Sequence, residues 1–141
     1  MTFYVDTSVM VAALTRESGS ARVDAWFNQQ KPAELAISEW VVTEVSSALS
    51  IKVRMGHISA EERAAAAALF AQISARSFGL LRVSSTHFRV AARYADQHAL
   101  GLRAADALHL AICADHGATL CTQDKKLGRA AAELGLGIRL L

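Results

Sequence analysis

Short apolar runs alternate with longer segments of helical pattern along the whole chain. Runs of a few apolar residues between polar ones are typical of buried strands, whereas apolar positions three or four residues apart are typical of helices. The pattern predicts strands over residues 3–5, 35–37, 80–83, 118–122 and 138–141. Because these strands are apolar on both faces and are separated by helices, we expect an α/β fold with a mostly parallel sheet covered on both sides.

The segments between the strands carry helix signals at their ends. Ser59 and Glu62 form a capping-box pattern, Ser85 is placed to cap the next helix, and Gly117 is the residue type that ends helices. Helices are predicted over residues 8–14, 20–28, 39–55, 59–76, 85–98, 103–116 and 125–134. In such sheets ligands bind beyond the carboxyl ends of the strands, so candidate functional residues are expected there.

Composition narrows the class of protein. The chain has 141 residues, of which 52% are hydrophobic and 20% charged, which excludes intrinsic disorder and favours one domain over residues 1–141. No apolar run approaches the roughly 18 residues of a membrane span, and no secretory signal is visible at the N-terminus. The cysteines, Cys113 and Cys121, are therefore expected to be free thiols of a cytoplasmic protein that is not bound to a membrane.

Two acidic residues directly follow predicted strands. Asp6 comes after the first strand, and Asp124 comes after the strand that ends at Thr122. Each could simply be the N-cap of the next helix, since aspartate is a preferred residue there. Both nevertheless lie at the carboxyl edge of the predicted sheet, where a site is expected.

Two further acids lie on predicted helices among apolar residues. On the helical wheel, Glu44 falls within the arc that contains the stripe of Val41, Val45 and Leu49. Asp106 lies in the first turn of a helix that is apolar on nearly every face, where the helix dipole also favours an acid. A carboxylate that faces a core is costly unless it is protonated, paired or bound to a metal.

Together the four acids indicate a metal site. Gathered in one small domain they would repel one another and raise each other's pKa, so a pocket that keeps them ionised needs a cation. Oxygen ligands favour Mg²⁺ or Mn²⁺ over zinc, and such ions assist phosphodiester hydrolysis. Without these acids, 15 basic side chains face nine acidic ones, an excess that suits a phosphate backbone. The basic residues expected around the site are Arg16, Lys52, Arg54, Arg103, Lys125 and Lys126.

These residues carry a resemblance to a known family. The motifs are Val5-Asp6-Thr7-Ser8, Glu44 in the long third helix, the segment 103–111 around Asp106, and Thr122-Gln123-Asp124. In this order and over this length, the chain resembles a PIN-domain ribonuclease, specifically a VapC-type toxin of a type II toxin–antitoxin pair. The resemblance covers essentially the whole chain.

The resemblance implies a PIN-like three-layer α/β/α fold with a parallel five-stranded sheet, and a metal-dependent endoribonuclease activity. It implies that Asp6, Glu44, Asp106 and Asp124 are both the catalytic residues and the ligands of one or two Mg²⁺ or Mn²⁺ ions. Accessory hydroxyl groups would come from Ser8 and Thr122. The implied partners are an RNA substrate, a cognate VapB-like antitoxin and a second copy of the chain in a homodimer.

Several alternatives stay open at this point. A non-catalytic PIN-like module that binds RNA or a partner would be expected to lack one of the acids. A phosphatase of the haloacid dehalogenase type would need an aspartate at Ser8, and a receiver-like signalling domain would leave Glu44 unexplained. His109, three residues after Asp106, could act as a ligand or in proton transfer, but the interpretation as a hydrogen-bonded core histidine is favoured. Apolar surface for the antitoxin is expected from Val9, Val11, Leu14, Trp26 and Phe27.

Overall fold

The computed structural model describes all residues from Met1 to Leu141 and contains one five-stranded parallel sheet. Its strands are β1 (Phe3–Val5), β2 (Leu35–Ser38), β3 (Gly79–Leu81), β4 (Thr119–Thr122) and β5 (Ile138–Leu140). They lie in the order β3-β2-β1-β4-β5, and every neighbouring pair is parallel. The expected three-layer α/β/α architecture is confirmed.

Seven helices connect and cover the strands. They are α1 (Thr7–Leu14), α2 (Ser20–Phe27), α3 (Glu39–Arg54), α4 (Ala60–Ser77), α5 (Ser85–Asp96), α6 (Ala104–His116) and α7 (Lys125–Glu133). Single turns of 3₁₀ helix lie at Pro32–Glu34 and His98–Leu100. No helix of the protein has both the length and the apolar character that crossing a membrane requires.

The helix ends follow the local signals, with one correction. The capping box of Ser59 and Glu62 is present, and Gly117 ends α6 with a left-handed φ of 58°. The cap of α5, however, is Ser84 and not Ser85, because the ring of His87 accepts a hydrogen bond from the backbone N–H of Ser84. The preceding strand ends at Leu81 and not at residue 83, because its partner β2 ends at Ser38, which pairs with Leu81.

The core lies between the helices and the sheet. Tyr4 and Val5 of β1 are fully buried, and α6 is buried without interruption from Ala107 to Cys113. Trp26 packs edge-to-face on Phe3, with ring centroids 5.7 Å apart. A continuously apolar helix is expected at the centre of such a layer, since it is covered on more than one side.

This core corrects one expectation about partner binding. Val9, Val11 and Trp26 are at most 8% exposed, because α1 packs its apolar face inward and Trp26 lies against β1. Leu14 and Phe27 are partly buried against the same core. The prediction that this set offers free apolar surface to an antitoxin is therefore wrong.

The strand order places a crevice beside the first strand. From β1 the chain moves outward through β2 to β3, and then returns to the other side of β1 to form β4. Parallel sheets bind ligands at such a switch point, just beyond the carboxyl ends of the two strands. Asp6 follows β1 and Thr122 ends β4, so both lie at this crevice.

Candidate functional site

Asp6 is the innermost acid of the crevice, and it is 4% exposed. It is the N-cap of α1, where its Oδ1 accepts the backbone N–H of Val9 at 3.1 Å and the hydroxyl of Ser8 at 2.6 Å. Its Oδ2 accepts only the hydroxyl of Thr122. Burial raises the pKa of Asp6, although these hydrogen bonds and the electrostatic attraction of His109 oppose the shift. The capping role expected for Asp6 is present, and it coexists with a place in the site.

The two hydroxyl groups predicted near the site both bond Asp6. Ser8 Oγ also accepts the backbone N–H of Gln123 at 3.1 Å, and Thr122 Oγ1 accepts the backbone N–H of Asp124 at 3.0 Å. Each hydroxyl therefore links the end of β1 to the segment after β4. The carboxylate of Asp6 is held in one orientation by these two links.

Glu44 reaches the crevice from the middle of α3, and its side chain is 23% exposed. Its Oε1 accepts the hydroxyl of Thr7 at 2.7 Å and the Nε2–H of His109 at 2.5 Å, whereas its Oε2 makes no hydrogen bond. Burial alone would raise the pKa of Glu44, but the interactions with His109 and Thr7 outweigh it and hold the pKa below its ordinary value. Glu44 is therefore ionised, with one carboxylate oxygen fixed and the other free.

Asp106 and Asp124 face each other across the opening of the crevice. Asp124 is the N-cap of α7, and its Oδ1 accepts the backbone N–H groups of Lys126 at 2.8 Å and Leu127 at 3.2 Å, while its Oδ2 makes no hydrogen bond. Burial and then the negative charge of Asp124 raise the pKa of Asp106, although the backbone of Arg103 hydrogen-bonds it. Asp124 is thus close enough to Asp106 for its charge to disfavour the ionisation of Asp106, in addition to the larger effect of burial.

A cavity of about 400 Å³ opens between these two acids. Besides Asp106 and Asp124, its lining includes Arg103 and Lys126, neither of which forms an ion pair with an acid. These two members of the predicted basic shell are thus free to bind an anion beside the carboxylates.

Two other predicted shell members are already paired. Arg16 bonds Asp24 and Lys52 bonds Glu17, each at 2.9 Å. Their charges are therefore largely compensated within the chain, which the sequence spacing did not reveal.

Four site residues were missed or only partly foreseen in the sequence. Thr7 bonds Glu44, and a buried chain of hydrogen bonds runs from His109 through Tyr4 to Ser38. The interpretation of His109 as a hydrogen-bonded core histidine is confirmed. Thr7 and Ser38 were accessible to sequence reasoning, because each lies at the end of a strand and Ser38 also caps α3. The hydrogen bonds of Tyr4 carry no local signal, because its partners are distant in the chain.

A second cluster of ligand-type side chains lies at the far end of α6. His87, Asp115 and His116 have potential ligand atoms within 4.8 Å of one another. However, Nδ1 of His87 accepts the backbone N–H of Ser84 at 2.9 Å, so the ring hydrogen lies on Nε2, which bonds Asp115 at 2.9 Å. A neutral imidazole has one free lone pair, and here the helix cap uses it. His87 therefore serves as a cap and as a hydrogen-bond donor to Asp115 and not as a metal ligand.

The two cysteines have no part in the crevice chemistry. Both are free and buried. Burial raises the pKa of the Cys113 thiol and raises that of Cys121 to about 12. Both are thus protonated at neutral pH, and a protonated thiol is a poor nucleophile.

Comparison with known proteins places this fold and crevice in a family. A sequence profile described as PIN domain matches residues 3–133, and the chain belongs to the PIN domain family. The family resemblance expected from the motifs is thereby confirmed. No curated protein sequence matches the chain.

Solved structures agree with the family assignment. PAE2754 from Pyrobaculum aerophilum is 25% identical, with a TM-score of 0.71 over 98% of this chain and 83% of that one. VapC20 of Mycobacterium tuberculosis, a toxin that cleaves the sarcin–ricin loop, is 17% identical, with a TM-score of 0.74 over 92% of this chain and 95% of that one. VapBC2 from Rickettsia felis, bound to a DNA fragment from its promoter, is 16% identical, with a TM-score of 0.68 over 100% and 99% of the two chains. Because VapC20 and VapBC2 are less than 25% identical to this chain, their likeness to it shows a shared fold only.

Proposed function

We propose that the protein is a metal-dependent endoribonuclease and the toxin of a VapBC-like toxin–antitoxin pair, with residues 1–141 forming one nuclease domain. The observation that carries the proposal is that the four acids approach one crevice beside β1. Thr122 bonds the carboxylate of Asp6 and the backbone of Asp124, Asp106 and Asp124 line one cavity, and Glu44 bonds His109, whose charge also acts on Asp6. The acids come from the start of α1, the middle of α3, the first turn of α6 and the start of α7. A cluster of carboxylates contributed by four separate elements is costly for folding, which supports a functional reason for it.

The donor set fits a hard divalent cation. All four candidate ligands are carboxylates, and Glu44 and Asp124 each have one oxygen fixed by hydrogen bonds and one free. No three of the four acids have oxygens all within 4.8 Å of one another. This spacing is wider than a cage of direct ligands, and it suits Mg²⁺ or Mn²⁺ that keeps several of its waters and is held by few carboxylates.

The residues around the crevice would divide the work of hydrolysis. When bound, a divalent cation activates water and stabilises the charge that develops on the leaving oxygen. Ser8 and Thr122 hold Asp6 in one orientation, as second hydrogen-bond partners commonly do for metal-binding carboxylates. Arg103 and Lys126 would bind phosphates of the RNA on either side of the cleaved bond, which their unpaired charges favour.

The experiment that tests this proposal is cleavage of a structured RNA by purified wild type and Asp6→Asn. We expect cleavage by wild type with Mg²⁺ or Mn²⁺, no cleavage in EDTA, and loss of cleavage in Asp6→Asn under every condition. Cys113→Ser and Cys121→Ser are matched controls that should cleave like wild type, because water is the nucleophile. Equal cleavage by wild type and Asp6→Asn, or full activity in EDTA, would contradict the mechanism.

The substrate class can be tested in the same assay. RNA is proposed because of the family resemblance and because VapC20, which shares the fold, is described as cleaving the sarcin–ricin loop. A DNA oligonucleotide of the same sequence should remain intact. Preferential cleavage of the DNA would replace the ribonuclease proposal with a deoxyribonuclease one. Mapping the cleavage ends in cells after induction would identify the target.

The partners follow from the same proposal. Several solved structures of this fold are toxin–antitoxin complexes, which supports a VapB-like antitoxin as partner in the cytoplasm. Co-expression with the neighbouring gene should give a stable complex with little nuclease activity. Failure of that gene product to bind or to relieve toxicity would remove the antitoxin assignment and leave the nuclease assignment intact.

The homodimer is a separate proposal. Two-fold pairing is the commonest assembly of soluble proteins, and α4 presents several alanines and the 44% exposed Leu69 at the surface. Light scattering at micromolar concentration should give the mass of two chains. The mass of one chain would contradict the proposal.

A further inference from the structure

The anchoring of Glu44 differs from that of Asp6 and Asp124. Asp6 and Asp124 are N-caps, so backbone N–H groups at the start of α1 and α7 hold their carboxylates. Glu44 lies inside α3, where backbone N–H groups are used by the helix itself. Its longer side chain can be fixed only by other side chains, and both that bond it, Thr7 and His109, bond the same oxygen, Oε1.

His109 is in turn held by a buried chain of hydrogen bonds. Its Nδ1 lies 2.8 Å from the hydroxyl of Tyr4, and that hydroxyl lies 2.7 Å from Oγ of Ser38. Ser38 is the N-cap of α3 and accepts the backbone N–H of Val41 at 3.3 Å. Tyr4, Ser38 and His109 are at most 3% exposed.

The donors in this chain all point the same way. The carboxylate of Glu44 can only accept, so in a ring with one hydrogen Nδ1 of His109 accepts from the hydroxyl of Tyr4, which accepts in turn from the hydroxyl of Ser38. The ring hydrogen is then on Nε2, where the only partner is the carboxylate of Glu44. The chain leaves α3 at its N-cap and returns to α3 at Glu44, so every polar atom in it is satisfied.

Packing alone does not explain the polar atoms of this chain. The rings of Tyr4 and His109 pack on each other with centroids 5.7 Å apart, and the core around them is apolar. Replacing both partners of a buried hydrogen bond by apolar groups of similar shape is often nearly neutral for stability. A buried polar chain that ends on a carboxylate with one free oxygen therefore indicates a role beyond folding.

We propose that His109 is a positioning residue for Glu44, and that Tyr4 and Ser38 fix its ring so that Oε2 of Glu44 stays turned toward the cation. The proposal rests on the proposed metal-dependent function. Outer partners of this kind typically change metal affinity by about 10–100-fold when they are removed. The expected effect is therefore on metal binding by the free protein, before any RNA is present.

The test is a Mn²⁺ titration of the metal-free protein, with free Mn²⁺ followed by electron paramagnetic resonance. We expect His109→Leu to weaken Mn²⁺ binding by about 10–100-fold. His109→Gln should restore most of the affinity, because its amide N–H can take the place of Nε2–H. Tyr4→Phe, which removes one oxygen atom, should weaken binding about threefold, since a single hydrogen bond contributes modestly.

The matched control is His87→Leu, which removes an equally buried histidine that also bonds a carboxylate. It should bind Mn²⁺ like wild type. Circular dichroism establishes that each variant is folded at the temperature of the titration, and Tyr4→Phe decides the question if His109→Leu is not folded.

Two results would overturn the proposal while leaving the metal site in place. One is wild-type affinity in folded His109→Leu or in Tyr4→Phe, and the other is an equal loss in His109→Leu and His109→Gln, which would indicate packing alone. Failure of the metal site itself looks different: wild type would bind no Mn²⁺, or Asp6→Asn would bind it as tightly as wild type. That result would remove the positioning role together with its basis.

Discussion

His87 and His109 are two equally buried histidines with the same hydrogen-bond pattern and different surroundings. In each ring Nδ1 accepts a hydrogen bond and Nε2 donates one to a carboxylate. His87 bonds Asp115, an exposed acid in the last turn of α6, whereas His109 bonds Glu44, which lies near Asp106. The histidine–carboxylate pair alone therefore does not define a site.

The difference lies in what surrounds each carboxylate. Asp115 is near a helix C-terminus, where the helix dipole disfavours an acid, and its bond with His87 joins α5 to α6. That hydrogen bond holds the pKa of Asp115 below its ordinary value. Glu44 instead lies near Asp106, whose pKa is raised by burial and then by the negative charge of Asp124. The metal-binding role is therefore proposed for the pair at Glu44 and not for the pair at Asp115.

The largest expected difference between the two pairs is in activity. Glu44→Gln and Asp115→Asn each remove the charge that a buried histidine bonds. Because a metal site contributes several kcal/mol to the transition state, we expect Glu44→Gln to slow RNA cleavage at least ~100-fold. Asp115→Asn should keep the wild-type rate in single-turnover assays at the same Mg²⁺ concentration. Similar rates in the two variants would remove the distinction.

The second-largest expected difference between the two histidine–carboxylate pairs is in the rise of Tm that Mn²⁺ binding causes. At a Mn²⁺ concentration 100 times its Kd, binding adds about 2.7 kcal/mol to the free energy of unfolding. For a chain of this size that corresponds to a rise of roughly 5–10 °C in Tm. Differential scanning fluorimetry should show this rise in wild type and in His116→Asn, and none in Asp106→Asn. A rise that disappears in His116→Asn would move the metal to the far end of α6.

Without metal, removal of one clustered acid should stabilise the protein. Burial and the charge of Asp124 raise the pKa of Asp106 in the folded protein above its ordinary value, so ionisation of Asp106 disfavours the folded state. This penalty is absent below the unfolded pKa and grows as the pH rises through the folded pKa. In EDTA we expect Asp106→Asn to have a Tm a few degrees above wild type at pH 7.5 and equal to it near pH 3. A lower Tm for Asp106→Asn at pH 7.5 would contradict the assigned repulsion.

The smallest expected change in Tm is that of Asp115→Asn, and it is a decrease where Asp106→Asn gives an increase. A carboxyl whose folded pKa is lowered contributes stability above its unfolded pKa, and the contribution is lost as the pH falls through the folded pKa. Asp115→Asn should therefore have a slightly lower Tm than wild type at pH 7.5, and the gap should close in acid. Thermal melts from pH 2.5 to pH 7.5 measure it, and a gap that widens in acid would reverse the assignment.

Local sequence signals were enough to predict most of the fold. The five strands and seven helices follow from apolar periodicity and from caps such as Ser59 and Gly117. The boundary between β3 and α5 was misplaced because the capping bond of His87 to Ser84 uses an imidazole, which is not among the usual capping residues. Propensity rules contain no signal for it.

The sequence predicted only those residues of the candidate site whose position along a single strand or helix is unusual. Asp6 and Asp124 follow strands, and Glu44 and Asp106 interrupt apolar helix faces, so each is visible in the sequence. The links from Tyr4 to Ser38, Tyr4 to His109 and His109 to Glu44 span 34, 105 and 65 residues. Such contacts are made by tertiary packing, and no periodicity within one helix or strand encodes them.

The location of bound Mn²⁺, read from the ring signals of the histidines by NMR, distinguishes the two carboxylate pairs most directly. A bound Mn²⁺ ion broadens the signals of nearby nuclei, and His109 and His87 report on the two carboxylate pairs separately. The account predicts that the ring signal of His109 disappears at substoichiometric Mn²⁺ while those of His87 and His116 persist, and that Asp6→Asn abolishes this selectivity. Loss of the His87 and His116 signals first, or equal loss of all the histidine signals, would contradict it.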